Sequence, residues 1–432
     1  MLKTVCEIVK QAGDIILHAS SAPVHEKEGH FNFVTDTDVA VQEYLQNALS
    51  AHFSGVHFFS EEQENEALTN APTFVIDPID GTINFMRSRS QSAISVAYLI
   101  EKQPVLAVVY QPYTNEMFTA EKGIYEGHGY EIVTLKGAGH EARILPVNGF
   151  NMYYWTYEGK EIFMEPADIT IFGTKYGNPI LFPTPNRVKN ATYTWAGETH
   201  VMKKRGQDVL IHGLVKDEPF TVTELTADEN SARCTAQIAI RKEGDIFEGW
   251  PWNCSLQVTY ILDKGGVHMD VKAVNEDETD MPFGFAVHPY FSKRGDANNC
   301  FIKVPVRRYY EADENMIPSG RILPAGEGTT IWDDFHSVES LYLDTVFRGM
   351  NADSEAQIMY DDVIVHISGS DCFRNAVVFT PHNRNGFCIE PQTNATNFIN
   401  MHREGLIDES GLMVLPAGKA FACQVHMTVT KR

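Results

Sequence analysis

No CxxC pair, cluster of basic residues, low-complexity tract or internal repeat occurs in this chain of 432 residues. Each absence removes a class of function. The seven cysteines, at positions 6, 234, 254, 300, 372, 388 and 423, are odd in number and far apart, so a structural zinc site is not expected. Reduced thiols in a cytoplasm are the simplest account of them. A formal net charge of −22, with no basic patch to offset it, repels nucleic acid and anionic membrane surfaces. No stretch approaches the roughly 20 apolar residues that span a bilayer. The fairly apolar start, Met1 to Ser21, is interrupted by Glu7, Lys10 and Asp14. Its Val5, Ile8, Val9, Ala12, Ile15 and Ile16 fall on one helical face, which predicts a core helix rather than an export signal.

What is present is ordinary globular material, 43% hydrophobic and 21% charged, long enough for two or more domains. Two rhythms divide it. Residues 1–123 alternate helical and strand patterns: the first helix, a second after Asp38 with Val41, Leu45, Leu49 and Phe53 on one face, then strands over Val56–Phe59, Phe74–Ile76, Ala93–Ile100, Val105–Tyr110 and Glu116–Ala120. This predicts an α+β layered domain. From residue 130 to 432 helical periodicity all but disappears. Short strands such as Asn151–Tyr157, Val363–Ser368 and Phe421–Thr430 are separated by turn dipeptides such as Glu158-Gly159 and Asn385-Gly386, which predicts a large all-β sandwich. The glycines at 123, 127 and 129 mark the boundary.

The sharpest string is Asp77-Pro-Ile-Asp-Gly-Thr-Ile-Asn-Phe85. Asp, Pro and Gly are common turn residues, and an isolated D-x-x-D-G would be read as a surface turn. Here an apolar run, Phe74-Val75-Ile76, leads into it, as at the end of a buried strand. Such a turn aims two carboxylates and a carbonyl at one cation, and the amides of Gly81 and Thr82 at a phosphate. Ser60-Glu61-Glu62 closes another apolar run, and Thr35-Asp36-Thr37-Asp38 opens a helix. The set resembles the inositol monophosphatase family of magnesium-dependent, lithium-sensitive phosphatases. The resemblance implies that Glu61, Asp77, the Ile79 carbonyl and Asp80 hold Mg²⁺, and that Thr82 and Asp38 orient the attacking water. Oxygen-only ligands suit Mg²⁺.

A second ordered set lies in the β region: Asn186-Arg187, His212-Gly213, His288-Pro-Tyr-Phe291, Leu343-Asp344 and Glu390-Pro-Gln-Thr393. Each alone reads as easily as a core histidine, a surface arginine or a cap. In this order they resemble the aldose 1-epimerase (galactose mutarotase) family over residues 130–432. The resemblance implies Glu390 as base and His288 as acid in opening and closing a hexose ring, with Arg187, His212 and Asp344 holding sugar hydroxyls and no cofactor. A carboxylate ionised at neutral pH and an imidazole able to carry a proton suit those tasks.

The phosphatase resemblance ends near Gly123. The family's second half, with a further metal-binding Asp in a W-D-x-A-x-G block, has no counterpart; Ile331-Trp332-Asp333 begins like that block and departs from it. The expectation is a truncated half-domain with a weak Mg²⁺ site. Its uncovered sheet should dock on the β region, on a second copy of the chain or on a separate phosphatase-like subunit. The leading reading is a mutarotase acting on a small-molecule hexose. A magnesium-dependent inositol or sugar phosphate phosphatase and a non-catalytic sugar-binding protein are the alternatives.

Overall fold

A computed structural model of the chain describes residues 1–19, 24–26, 33–81, 85, 92–124, 129–169, 176–242, 244, 246–325 and 334–432. Thr82 and Ile331–Asp333, which the sequence singles out, lie outside them. The first helix, α1 (Leu2–His18), buries Val5, Ile8, Val9, Ala12 and Ile16 along one stripe. A small hairpin, β1 (Val24–Glu26) with β2 (Phe33–Thr35), precedes α2 (Asp36–His52), which buries Val41, Leu45 and Leu49. Thr35 and Asp38 form a reciprocal capping box at its start.

Nine strands then build one sheet: β3 (His57–Ser60), β4 (Thr73–Asp80), β5 (Ala93–Ile100), β6 (Gln103–Gln111), β7 (Glu116–Ile124), β8 (Glu131–Gly137), β9 (His140–Leu145), β10 (Asn151–Tyr157) and β11 (Lys160–Glu161). They neighbour one another in sequence order. Only β3 with β4 is parallel. The change of rhythm near residue 124 is therefore not a break in structure. Strand β7 pairs with β8 from Thr119 opposite Lys136 to Gly123 opposite Ile132, so one hydrogen-bonded ladder crosses it.

The two faces of this sheet serve two cores. Leu106, Val108 and Tyr110 of β6 join the helices in the smaller core with Phe74, Ile76, Ile94 and Val96. Ala107 of the same strand, with Phe118 and Ala120 of β7, points the other way and belongs to the main core of the β region. There β6 and β7 pack against the strand Thr221–Ala227, and β7 and β8 against Ser231–Ile240. Of the three partners expected for the uncovered sheet face, the β region is the one that covers it. Phe118 sits where only glycine fits on the neighbouring strand: a Cβ at Gly137 would stand 2.1 Å from its ring.

The covering strands lead a second nine-stranded sheet, which continues through Cys254–Asp263, Gly266–Asn275, Ala420–Lys431 and Val363–Gly369. An eight-stranded sheet, with Gly386–Gln392 near its middle, shares the main core with it and completes the sandwich.

Phe118→Ala tests whether the ladder makes one folding unit. Loss of this fully buried ring should cost about 3–5 kcal/mol. Calorimetry should show a single transition moved to lower temperature; two transitions with one unmoved would contradict a shared unit.

Candidate active site

The eight-stranded sheet carries the second residue set. Glu390 lies in the fully buried strand Gly386–Gln392, opposite Val377 of Asn375–Phe379. Asp344 starts the next strand, Asp344–Arg348, opposite Phe379. His288 follows Ala286–Val287, the strand bridged to Gln392, and its amide donates to the Pro179 carbonyl at 3.0 Å. Strand pairing therefore brings Asp344, His288 and Glu390 to one end of the sheet.

Arg187 and His212 arrive on laced loops. Arg187 forms an isolated bridge with Ile211, and Phe182 with Gly213. The His212 amide donates to the Asn186 carbonyl at 2.8 Å. His212 holds a left-handed backbone, φ 67°, which non-glycine residues adopt rarely. Gly213 also has positive φ, and a Cβ there would meet the Phe182 carbonyl at 2.4 Å. The His-Gly pair is thus the tight turn that swings the imidazole inward.

The five residues line one open cleft of about 200 Å³. Drug-sized pockets run to about 300–1,000 Å³, so this one suits a smaller guest. Larger clefts exist, one of about 520 Å³ beside Gln257, Asp270 and Lys272 and one of about 460 Å³ beside Lys160, Lys293 and Arg294. In the second of these the charged groups are already engaged: Arg294 and Lys160 are ion-paired with Asp362, Arg294 is stacked over Tyr360, Lys293 donates to the Pro381 carbonyl and Glu161 accepts from the Ser292 hydroxyl.

At the centre, His288 Nε2 and Glu390 Oε1 stand 3.3 Å apart, both buried. The His288 ring stacks on Tyr290 with centroids 4.8 Å apart, and meets His212 edge-on at 5.2 Å. Nδ1 of His288 and Nδ1 of His212 are buried without a protein partner. Burial pushes His288 down to about 3, and holds His212 well below the usual imidazole range, aided by the charge of a protonated His288. Burial raises Glu390 well above the carboxylate range; Asp344 adds to this and Arg187 opposes it. Asp344, exposed at the rim, is also raised by desolvation and opposed by Arg187. Desolvation thus drives the buried pair toward a neutral state with one proton between two facing atoms.

One charged member was missed. Arg384 lines the cleft from the turn between Asn375–Phe379 and Gly386–Gln392, and its charge reaches His288, Tyr290 and Glu390's neighbour Cys388. The Asn385-Gly386 turn signal lay beside it, but nothing in the sequence distinguishes Arg384 from a solvated turn arginine.

The first residue set is more dispersed. Asp77 and Asp80 flank a β-bulge of β4, where pairing to β5 slips between Ser95 and Ala93. The Ile79 amide donates to the Asp77 carboxylate and the Gly81 amide to that of Asp80. Glu61 hydrogen-bonds the Asp77 carboxyl, which desolvation first, and then the charges of Glu61 and Asp80, push up to about 8. Asp77 Oδ1 is buried without a partner. Asp38 is fully buried and accepts from the Thr35 amide at 2.8 Å and from its hydroxyl. Among the described residues, only His288, Cys388 and Glu390 bring three ligand-type atoms within 4.8 Å of one another. Glu61, Asp77 and Asp80 do not close that far. The same residues show no helix long and apolar enough to cross a membrane.

Comparison with known proteins divides the chain in two. The inositol monophosphatase family model matches residues 1–149, and the aldose 1-epimerase model residues 145–415, more than half of the chain. The two meet at the turn after β9. An inositol monophosphatase of Dictyostelium discoideum is 37% identical over 127 residues, which are 28% of this chain and 47% of that protein. Inositol monophosphatase 2 of Solanum lycopersicum is 39% identical over 123 residues, 27% of this chain and 46% of that protein. The chain spans about half the length of the curated relatives it matches. Among solved structures, a galactose mutarotase-like protein from Clostridium acetobutylicum aligns with a TM-score of 0.65 at 20% identity, over 72% of this chain and 98% of that one. A galactose 1-epimerase from Lactobacillus acidophilus aligns with a TM-score of 0.61 at 14% identity, over 73% and 99%. These two likenesses establish the mutarotase-like fold of the β region.

The lowered His288 value has a direct readout. In a proton NMR titration its ring should remain neutral from pH 8 down to pH 5, where a free imidazole of ordinary value 6.5 is already protonated. A midpoint near 6.5 would remove the neutral-pair account.

Proposed function

Because the chain belongs to the aldose 1-epimerase family through residues 145–415, we propose that its β region interconverts the α and β anomers of a free hexose. The observation that carries this reading is the buried pair, Glu390 Oε1 facing His288 Nε2 at 3.3 Å in a cleft of monosaccharide size. Anomerisation needs a base for the C1 hydroxyl proton and an acid for the ring oxygen. As the C1–O5 bond breaks, the C1 oxygen becomes a carbonyl and O5 a hydroxyl. Rotation about C1–C2 and reclosure with the roles reversed give the other anomer, and the proton count is unchanged.

The pair holds the one proton this cycle requires. With it on His288 Nε2, Glu390 is the base toward the C1 hydroxyl and His288 the acid toward O5. Arg187 favours that form, since its charge opposes the rise at Glu390. Sugar hydroxyls entering the cleft bring polar partners to a site otherwise poor in them, and the free Nδ1 of His212 can bind one. Arg187, Asp344 and Arg384 at the rim would fix the ring so that C1 and O5 meet the pair. Glu390→Gln or His288→Asn should lower the catalysed rate by about 10²–10⁴, toward spontaneous mutarotation. Polarimetry of freshly dissolved α-glucose measures it, and a rate equal to that of the unmodified protein would end this reading.

The phosphatase alternative has one observation in its favour, the contact of Glu61 with Asp77. The donor set, all oxygen and with Asp77 Oδ1 buried and unpartnered, fits a hard divalent ion held by Glu61, Asp77 and Asp80. Such an ion would polarise a phosphoryl oxygen and supply an activated water. Against hydrolysis stands Asp38, whose carboxylate closes the α2 cap. We therefore expect no Mg²⁺-stimulated release of phosphate from inositol monophosphate. Release that Asp80→Asn abolishes would reinstate the phosphatase.

A further inference from the structure

The carboxylate that the first residue set lacks has a counterpart on the other side of the seam. The strands Thr221–Ala227 and Ser231–Ile240, which cover the face of β6 and β7, are joined by Asp228-Glu229-Asn230. That turn overhangs the end of β4. Glu229 and Asn230 line a cleft of about 380 Å³ together with Asp80, Gly81, Ser92, Ala93 and Gln111. Among the described residues that line it there is no Lys or Arg.

Three observations bear on what the cleft holds. First, Glu229 is the strongest charged neighbour of Asp80, ahead of Glu61. Two carboxylates facing each other across a cleft repel unless a cation lies between them. Second, Ser92 is 3% exposed, lines the cleft, and its Oγ has no hydrogen-bond partner. A buried hydroxyl in that position costs about 1–3 kcal/mol unless a ligand or its water completes it. Third, Asp77 Oδ1, at the start of the bulge that ends at Asp80, is buried and equally unpartnered. Asp228 does not compete for a ligand. Its Oδ1 accepts from the amides of Asn230 and Ser231 and its Oδ2 pairs with Arg233 at 3.2 Å, so it shapes the turn and leaves Glu229 to face Asp80.

We propose that the turn of the β region completes a divalent-cation site with the phosphatase-like segment, Glu229 meeting Asp80 across the cleft beside the Asp77–Glu61 contact, with Ser92 Oγ holding the ion's water and the Asn230 amide, which donates to Glu229 Oε1 at 3.0 Å, steadying that carboxylate. The chemistry selects a small hard ion such as Mg²⁺ or Mn²⁺. Every donor is oxygen, and the carboxylates do not converge tightly enough to strip the ion of water. The bound ion cross-links the two family segments, so it stabilises the chain as a whole.

Mn²⁺ alone is the probe, titrated into the full chain and followed by electron paramagnetic resonance of the free ion and by thermal melting. One saturable site is expected, together with a rise in melting temperature. Glu229→Gln should weaken the site by about 10–100-fold, as loss of a supporting ligand does elsewhere. Asp80→Asn should weaken it at least as much. Glu224→Gln removes an exposed carboxylate from the strand that leads into the turn, outside the cleft, and should leave the affinity unchanged. Circular dichroism checks that each variant is folded. An anomalous-scattering map of Mn²⁺-soaked crystals should place the ion between Asp80 and Glu229, which keeps the test open if a variant fails to fold. Wild-type affinity in Glu229→Gln, an equal loss in Glu224→Gln, or an ion found elsewhere would overturn the proposal.

Discussion

The ladder between β7 and β8 is the constraint on which the rest of the molecule depends. Backbone groups at a sheet edge must be paired, covered or left to water. Here β7 is paired, residue for residue, by β8, the first strand after the change of rhythm, and both lie within the residues that the inositol monophosphatase model matches. Once that register is set, the alternation of side chains decides the rest. Ala107, Phe118 and Ala120 must face the sandwich, and Leu106, Val108 and Tyr110 must face the helices. A slip of one residue would exchange the two sets between two cores of different shape. The same register brings the covering strands, and the turn that joins them, over the end of β4.

The mutarotase-like cleft is separated from that seam and obeys a different constraint, the cost of charge away from water. Glu390 sits on a strand with no exposed residue, and His288 packs between Tyr290 and His212. Burial disfavours both ionised forms, and disfavours two charges of one sign most of all. The outcome is a pair that carries one proton, with an arginine near enough to tilt its position. Acid–base exchange on a sugar asks for such a pair, because the group that gives a proton in ring opening must take one back in ring closure. The left-handed turn at His212 and the exposed rim at Asp344 are where the fold departs from regular structure, and both serve the cleft.

Much of this was legible in the sequence, for identifiable reasons. Strands Ala93–Ile100 and Asn151–Tyr157 have the limits that alternation and turn residues predict. The α1 stripe and the start of α2 follow from helical periodicity and the Thr35–Asp38 cap. Glu390 and His288 stand in proline-bounded blocks whose order carries information. Periodicity is silent on which strand lies beside which, so the continuity of β7 with β8 across the glycines was hidden, and with it the choice among the expected partners for the open face. Strand β4 also runs on through Pro78 to Asp80, because a bulge lets the chain stay paired while it turns its carboxylates. Arg384, Ser92 and Glu229 had no local frame to mark them. Their chemistry comes only from what the fold sets opposite them.

Covering a half-domain and completing its site are separable tasks, and the β region divides them. The apolar sides of Thr221–Ala227 and Ser231–Ile240 cover the sheet, which any strand pair of matching alternation would do. Facing Asp80 is left to a single turn, fixed in shape by Asp228. That division limits what the fused segment is able to do. A turn can lend a carboxylate to a cation, but it builds no wall against which a phosphate ester could be aligned with an attacking water, and alignment supplies much of the rate in such reactions. Asp38, drawn into the α2 cap, is not replaced from the seam either. In our reading the segment therefore keeps the ion-binding part of the chemistry of the phosphatases it resembles and gives up the positioning part, and the ion's contribution passes from catalysis to holding two packed sheets together.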